Sequence, residues 1–323
     1  MHIQDVFRQY GDDLKHVEEH MEMYLRSEVN LIPEVIHHII GSGGKRFRPL
    51  LLLASSSLCC GHTGEKCYAL SAVMEFIHTA TLLHDDVVDK AETRRGKTSA
   101  NNIWGNAASV LVGDFLYSKS FKLMTEHGNL AIIKLFSETT KTMSEGEVFQ
   151  LMKKGDINLT EKEYLSIIEK KTAILISAAC AIGGILGNAP DAKIEALTRF
   201  GMRLGLAFQI TDDTLDYIAE EDIFGKAVGK DLEEGKITLP LIRTLKKCTA
   251  EENARIKQLI ECKERDGMND IMALIHHYDG IHYALNKAKS FIDEGKKFLE
   301  SFADSEAKSA LLTIANYILS RKI

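Results

Sequence analysis

At 323 residues the chain sits near the size where a single core stops growing, and 45% apolar with 27% charged residues is an ordinary balance for a folded chain. Forty Lys and Arg against 46 Asp and Glu leave a net charge of −6, which offers no global basic surface for nucleic acid. Only four prolines interrupt the chain, so long windows are free of helix breakers, and disorder and collagen-like repeats are excluded.

The N-terminus, Met1-His2-Ile3-Gln4-Asp5, runs into charged sequence without the basic-then-apolar order of a secretion signal, so a cytoplasmic location is expected. Apolar residues recur at helical spacing over most of the length while alternating runs are scarce, which predicts an all-α fold. Breaks are expected at Gly61 to Gly64, Gly96 to Gly105, Gly128-Asn129, Gly155-Asp156, Gly187 to Pro190, Gly225 to Gly235 and Asp266-Gly267. The helices between them would run to roughly 15 to 30 residues, as in a bundle. No linker-like stretch divides the chain, so one domain spanning residues 1–323 is expected. Cys59, Cys60, Cys67, Cys180, Cys248 and Cys262 lack Cys-x-x-Cys spacing and read as small apolar side chains, with neither disulfides nor zinc. The uncharged stretch Thr172 to Pro190 approaches the length of a membrane span, but its Thr, Ser, Gly and Asn content favours a buried core helix.

Chemistry first appears in the run Phe76-Ile77-His78-Thr79-Ala80-Thr81-Leu82-Leu83-His84-Asp85-Asp86-Val87-Val88-Asp89. On a helix His78, Thr81, Asp85 and Asp89 form one stripe, with Asp86 about a quarter-turn away. Three carboxylates at a helix C-terminus repel one another and oppose the helix dipole, so a cation is expected there. All-oxygen donors suit a hard ion such as Mg²⁺, which keeps waters and shares phosphate oxygens. One such run alone reads equally well as a solvated acidic helix end, but Gln209-Ile210-Thr211-Asp212-Asp213-Thr214-Leu215-Asp216 repeats the spacing after another apolar helical stretch. If the two helices face each other, six carboxylates can hold several Mg²⁺ ions around one diphosphate.

Cationic runs flank both motifs: Gly43-Gly44-Lys45-Arg46-Phe47-Arg48-Pro49, Arg94-Arg95-Gly96, Lys170-Lys171-Thr172, and Gly225-Lys226 through Lys236. Guanidinium forks and ammonium groups bind phosphate oxygens. None of these runs has the form of a nucleotide P-loop or a dinucleotide fingerprint, which argues against ATP and NAD.

Taken in order over residues 43 to 240, these runs together with Gly113-Asp114-Phe115-Leu116 resemble the trans-prenyl diphosphate synthases. The wording Met74-Glu75-Phe76-Ile77-His78-Thr79-Ala80-Thr81-Leu82-Leu83-His84 is most similar to the bacterial octaprenyl diphosphate synthases. The resemblance implies a bundle of long, mostly antiparallel helices around a deep central cavity. It implies that Asp85, Asp86 and Asp89 bind Mg²⁺ holding the allylic diphosphate, and that Asp212, Asp213 and Asp216 complete a cluster of three ions, with Mn²⁺ able to substitute. Arg94, Lys171, Thr172, Gln209, Lys226 and Lys236 would contact the allylic substrate, and Lys45, Arg48, His78 and Arg95 the diphosphate of isopentenyl diphosphate. The implied reaction ionises the allylic C–O bond, adds the double bond of isopentenyl diphosphate to the cation, and loses a proton to the departing diphosphate. No protein nucleophile or dedicated base is required.

Small residues at Ala80 and Thr81, one turn before the first motif, leave a path for a long product tail, and Phe121, Met124 and Phe136 are candidates for its floor. The expected product is about C40 octaprenyl diphosphate from a farnesyl diphosphate primer, for quinone side chains, with shorter and longer chains as alternatives. A homodimer with transient membrane contact at product release is also implied. A terpene cyclase, which normally carries a different second motif, and a non-catalytic regulatory subunit, which usually loses its aspartates, are the rival readings.

Overall fold

The computed structural model describes the chain apart from Ser42, Lys45 and residues 219–228, 263–266 and 321–323. The fold is all-helical in its main elements: α1 Ile3–Gln9, α2 Gly11–Tyr24, α3 Leu31–Ile40, α4 Phe47–Cys60, α5 Glu65–Val88, α6 Ala100–His127, α7 Leu130–Met152, α8 Glu161–Ile168, α9 Ile174–Leu186 and α10 Asp191–Leu215. Helices Leu239–Leu245, Ala250–Cys262, Gly267–His277, Gly280–Leu299 and Glu306–Ser320 follow, after a single turn at Lys230–Glu233. No described helix is long and apolar enough to cross a membrane. The uncharged stretch after Thr172 forms α9, where Ala178 to Ile182 are all buried.

The chain divides into two compact units. The first comprises Met1–Thr140, Ala178–Thr198 and Leu299–Thr313. Its centre is α5, buried all round from Ala69 to Ile77 and packed against α2, α4 and α6. Small residues let helices close up here. A Cβ on Gly187, just past the end of α9, would lie 2.5 Å from Cys59 Cβ and 3.1 Å from the Ser56 carbonyl oxygen of α4, so the two segments are already in contact. The break expected from Gly96 to Gly105 is shorter than that: α6 starts at Ala100 and runs through Gly105, which kinks it at φ 84° and ψ 161°.

Among the described residues, strands occur between α5 and α6. Thr93–Arg94 and Lys97–Thr98 pair as a two-stranded antiparallel ribbon, β1 and β2, turning on Arg95 and Gly96. Both turn residues are left-handed, at φ 51° and 76°, the backbone that a two-residue hairpin requires to match strand twist. Two residues per strand are too short for a sequence pattern to show.

The second unit comprises Lys141–Ser177, Arg199–Phe298 and Ile314–Ile323. Its helix α8 begins with a capping box, in which Thr160 N–H donates to Glu163 Oε2 (2.9 Å) and Glu163 N–H to Thr160 Oγ1 (3.2 Å). Lys153 lies 2.9 Å from the same carboxylate and, with the Thr160 amide, holds the Glu163 pKa down at about 2. A depressed carboxyl pKa adds stability above the ordinary value of 4.5 and loses it as pH falls toward 2. Glu163→Gln is therefore expected to melt below the parent at pH 7, with the gap closing steadily across that window. A gap constant with pH, measured by circular dichroism melts, would remove the electrostatic explanation.

Candidate active site

In the first unit the acidic motif lies where α5 ends. Asp89 is the C-cap, and its N–H donates to the Asp85 carbonyl. Asp86 is fully buried, and its Oδ1 receives both Nε (2.8 Å) and Nη2 (2.5 Å) of Arg94 on β1. The hairpin thus returns a guanidinium to a carboxylate that the helix dipole alone would destabilise. Asp85 and Asp89 are half-buried.

A second cluster forms around the start of α4. Arg48 occupies its first turn, Arg46 is the N-cap in the left-handed region at φ 47°, and Arg95 on the hairpin turn approaches from β1. His78 of α5 faces them, and its pKa is held well below the ordinary imidazole range by burial first, then by Arg48, Arg95 and Arg94. It is a neutral imidazole at pH 7. Lys45 lies outside the described residues. In this cluster a carboxylate escaped the sequence reading: Glu75, one turn before His78, is buried and lies 3.5 Å from Arg46 Nη1. Its signal was a lone acid within an apolar helical run.

The second unit holds a cavity of about 90 Å³ lined by Lys171, Thr172, Gln209, Asp213, Asp231 and Lys236 among others. Lys171 and Thr172 lie on a π-turn, Glu169–Ala173, between α8 and α9. Such single-turn bulges re-aim side chains and recur at functional sites. Lys171 Nζ donates to Glu147 Oε2 (2.8 Å) and Gln150 Oε1 (2.9 Å). Thr172 donates to Gln209 Oε1 (2.8 Å), and Gln209 Nε2 passes the chain on to Asp213 Oδ1 (2.7 Å). Tyr164 OH donates to the other Asp213 oxygen at 2.6 Å.

Asp213, the middle aspartate of the second acidic motif, is buried, Asp212 is exposed, and Asp216 stands just past the end of α10, accepting the Asp231 N–H at 2.9 Å. Burial, then Asp212, pushes the Asp213 pKa up to about 6, while Tyr164, Gln209 and Lys236 pull it back. Asp231 is pushed well above the carboxylate range by burial and by Asp213 and Asp216. Sequence reasoning missed Asp231 and Tyr164, because only the folded chain brings them to the motif. Lys236 Nζ lies 2.6 Å from Glu234, and Lys226 falls outside the described residues.

The donor set at both motifs is carboxylate oxygen only, which fits a hard divalent cation. Among the described residues no three His, Cys, Asp or Glu groups close into a ready-made cage. A carboxylate-oxygen donor set suits a hard ion that keeps its waters and shares phosphate oxygens.

Of the residues expected to line the product path, Ala80 is fully buried and Thr81 is half-buried with its hydroxyl on the His78 carbonyl at 2.7 Å. Met124 and Phe136 are buried in the first unit. Phe121 corrects the expectation of a floor residue: it is 45% exposed on the solvent side of α6, a face that helical periodicity alone did not distinguish.

The polyprenyl synthetase family model matches residues 29–278. Octaprenyl diphosphate synthase of Haemophilus influenzae is 38% identical over 323 residues, covering 99% of this chain and 98% of that protein. Among solved structures, a decaprenyl diphosphate synthase from Rhodobacter capsulatus superposes with a TM-score of 0.94 at 38% identity, covering 99% of both chains. A polyprenyl synthase from Caulobacter crescentus, complexed with calcium and isoprenyl diphosphate, gives 0.94 at 38% identity, covering 99% of this chain and 98% of that one. The chain therefore belongs to the polyprenyl synthetase family and is a trans-prenyl diphosphate synthase, a prenyltransferase.

Proposed function

We propose that the chain is a long-chain all-trans polyprenyl diphosphate synthase that extends farnesyl diphosphate with isopentenyl diphosphate to about C40, for quinone side chains. The carrying observation is that two Asp-Asp-x-x-Asp motifs each end an apolar helix beside phosphate-binding groups: Arg94 on Asp86 in one unit, and Lys171, Thr172 and Gln209 leading to Asp213 in the other. The reading takes the chain as one domain, with the six aspartates of both motifs serving one diphosphate. Homologues matched over nearly the whole chain support this.

Asp85, Asp86 and Asp89, with Asp212, Asp213 and Asp216, would hold three Mg²⁺ ions, and calcium in the Caulobacter relative supports divalent metal. Bound there, the metal neutralises charge growing on the leaving diphosphate. Arg94, Lys171, Thr172, Gln209, Lys226 and Lys236 grip that diphosphate and orient the allylic carbon. Lys45, Arg48, His78 and Arg95 hold isopentenyl diphosphate with its double bond toward that carbon. The apolar helix faces exclude water that would quench the cation.

Octaprenyl length is favoured by the Haemophilus relative, whereas the Rhodobacter relative makes a longer chain. The tail would run past Ala80. Ala80→Phe adds an aromatic ring at a fully buried position, and is expected to shift the main product to a shorter chain; unchanged length by chromatography would remove Ala80 from the path. A homodimer is supported by apolar side chains left open in the first unit, Leu111 (66% exposed) and Phe121 (45%) of α6 and Leu130 (66%) of α7. Cytoplasmic location and transient membrane contact at product release complete the proposal.

The test is purified protein with Mg²⁺, farnesyl diphosphate and labelled isopentenyl diphosphate, with dephosphorylated products sized by chromatography. A main product at C40 supports the whole reading. Another single length keeps the chemistry and rejects octaprenyl, and no elongation by folded protein rejects catalysis by the chain alone.

A further inference from the structure

Three guanidiniums converge in the first unit, and their mutual repulsion needs an internal answer. A Cβ on Gly44 would stand 3.2 Å from Arg46 Nη1 and 3.3 Å from Arg95 Nη1, so the two cations flank the same empty point. Arg46 and Arg95 both sit on left-handed backbone, at φ 47° and 51°, a conformation that L residues keep only where the surroundings enforce it. Arg48 completes the group from the first turn of α4. Like charges gathered this closely disfavour the array unless an anion lies among them.

Glu75 is that anion. It projects from α5 one turn before His78, is 6% exposed, and places Oε2 3.5 Å from Arg46 Nη1. Burial raises its pKa, and Arg48, Arg46 and Arg95 are the charges that pull it back toward the ionised form. Arg46 is also anchored from outside, its Nε 3.3 Å from Glu18 on α2. Glu75 answers the guanidiniums from inside and Glu18 answers Arg46 from outside, and neutral His78 adds a hydrogen-bonding group without more charge. An array ordered in advance spares the ligand the cost of ordering long, flexible side chains.

We propose that Glu75 is a positioning residue whose buried carboxylate holds Arg46, Arg48 and Arg95 as a preformed cradle for the diphosphate of the non-allylic substrate. The inference rests on the reading of this cluster as the isopentenyl diphosphate site. Glu75 touches no substrate in this account. Its loss should weaken binding of one substrate and leave the other nearly untouched, a split that general destabilisation would not produce.

The experiment varies each substrate in turn for the parent, Glu75→Gln, Glu75→Asp and Arg48→Ala, with melting temperatures recorded alongside. Glu75→Gln should raise KM for isopentenyl diphosphate about tenfold or more, while KM for the allylic substrate stays within about twofold. Glu75→Asp, which keeps the charge but shortens the reach, should give a smaller rise of the same selectivity. It also carries the test if the glutamine variant fails to fold. Unchanged KM for isopentenyl diphosphate in both Glu75 variants, with a rise in Arg48→Ala, overturns the role of Glu75 and leaves the site standing. Equal weakening of both substrates, or a fall in kcat alone, also overturns it. No change in Arg48→Ala overturns the site reading itself, and the proposal with it.

Discussion

Replacing Asp86 by asparagine is expected to lower kcat about 1,000-fold, the scale seen when one preorganised electrostatic group is removed from a transition state. The substitution conserves volume and keeps an oxygen able to accept from Arg94, so the core around this fully buried side chain need not repack. What it removes is a negative charge at the end of α5, where the proposed ions must sit. It also leaves the Arg94 guanidinium without its charged partner, which costs about 1–3 kcal/mol when such a partner is buried, and less here because Arg94 is about one-third exposed. A modest fall in melting temperature should therefore accompany a much larger loss of turnover. Steady-state kinetics beside a thermal melt separate the two effects. A kcat within tenfold of the parent would show that Asp86 serves only to pin the hairpin.

Gly146→Ala is expected to cost about 100-fold in kcat although it touches no substrate, because misplacing a catalytic group by about 1 Å has that effect. In the interior of an ordinary helix the change would stabilise by about 1 kcal/mol. Here the new Cβ would lie 2.8 Å from Lys170 Cβ and 2.9 Å from the Lys171 backbone nitrogen. Those are atoms of the π-turn, and a backbone cannot swing aside as a side-chain tip can. The turn is held from the other side as well, since a Cβ on Gly205 of α10 would meet Ala173 Cα at 2.5 Å. Lys171 must shift, and its bonds to Glu147 and Gln150 shift with it. Gly11→Ala, where nothing lies within 4 Å, is the control and should leave kcat unchanged. Parent-like turnover in Gly146→Ala would mean the π-turn can relax without moving Lys171.

Both variants mark the boundary between what can be read along the chain and what needs the fold. The acidic motifs were legible because three carboxylates at 0, +1 and +4 on an apolar helix are costly unless a cation joins them, and that cost depends only on local spacing. The all-α class and the core helix after Thr172 were legible for the same reason: helical periodicity acts over a few residues. Glu75 stood in plain view as a lone acid in an apolar run, yet its partners Arg46, Arg48 and Arg95 come from two other segments. Its role emerges only once α4 and the hairpin close on α5.

The π-turn at Glu169–Ala173 has no sequence signature, because its extra residue per turn is tolerated through close contact with Gly146 and Gly205 on other helices. Likewise Tyr164 and Asp231 reach Asp213 from distant positions, and Phe121 turned outward where periodicity allowed an inward reading. Sequence by itself determined the helical class and where the acidic and basic motifs fall, since both follow from short-range periodicity and charge. Tertiary structure alone decided how each motif is held, because burial and charge pairing are settled between segments that the chain order keeps apart.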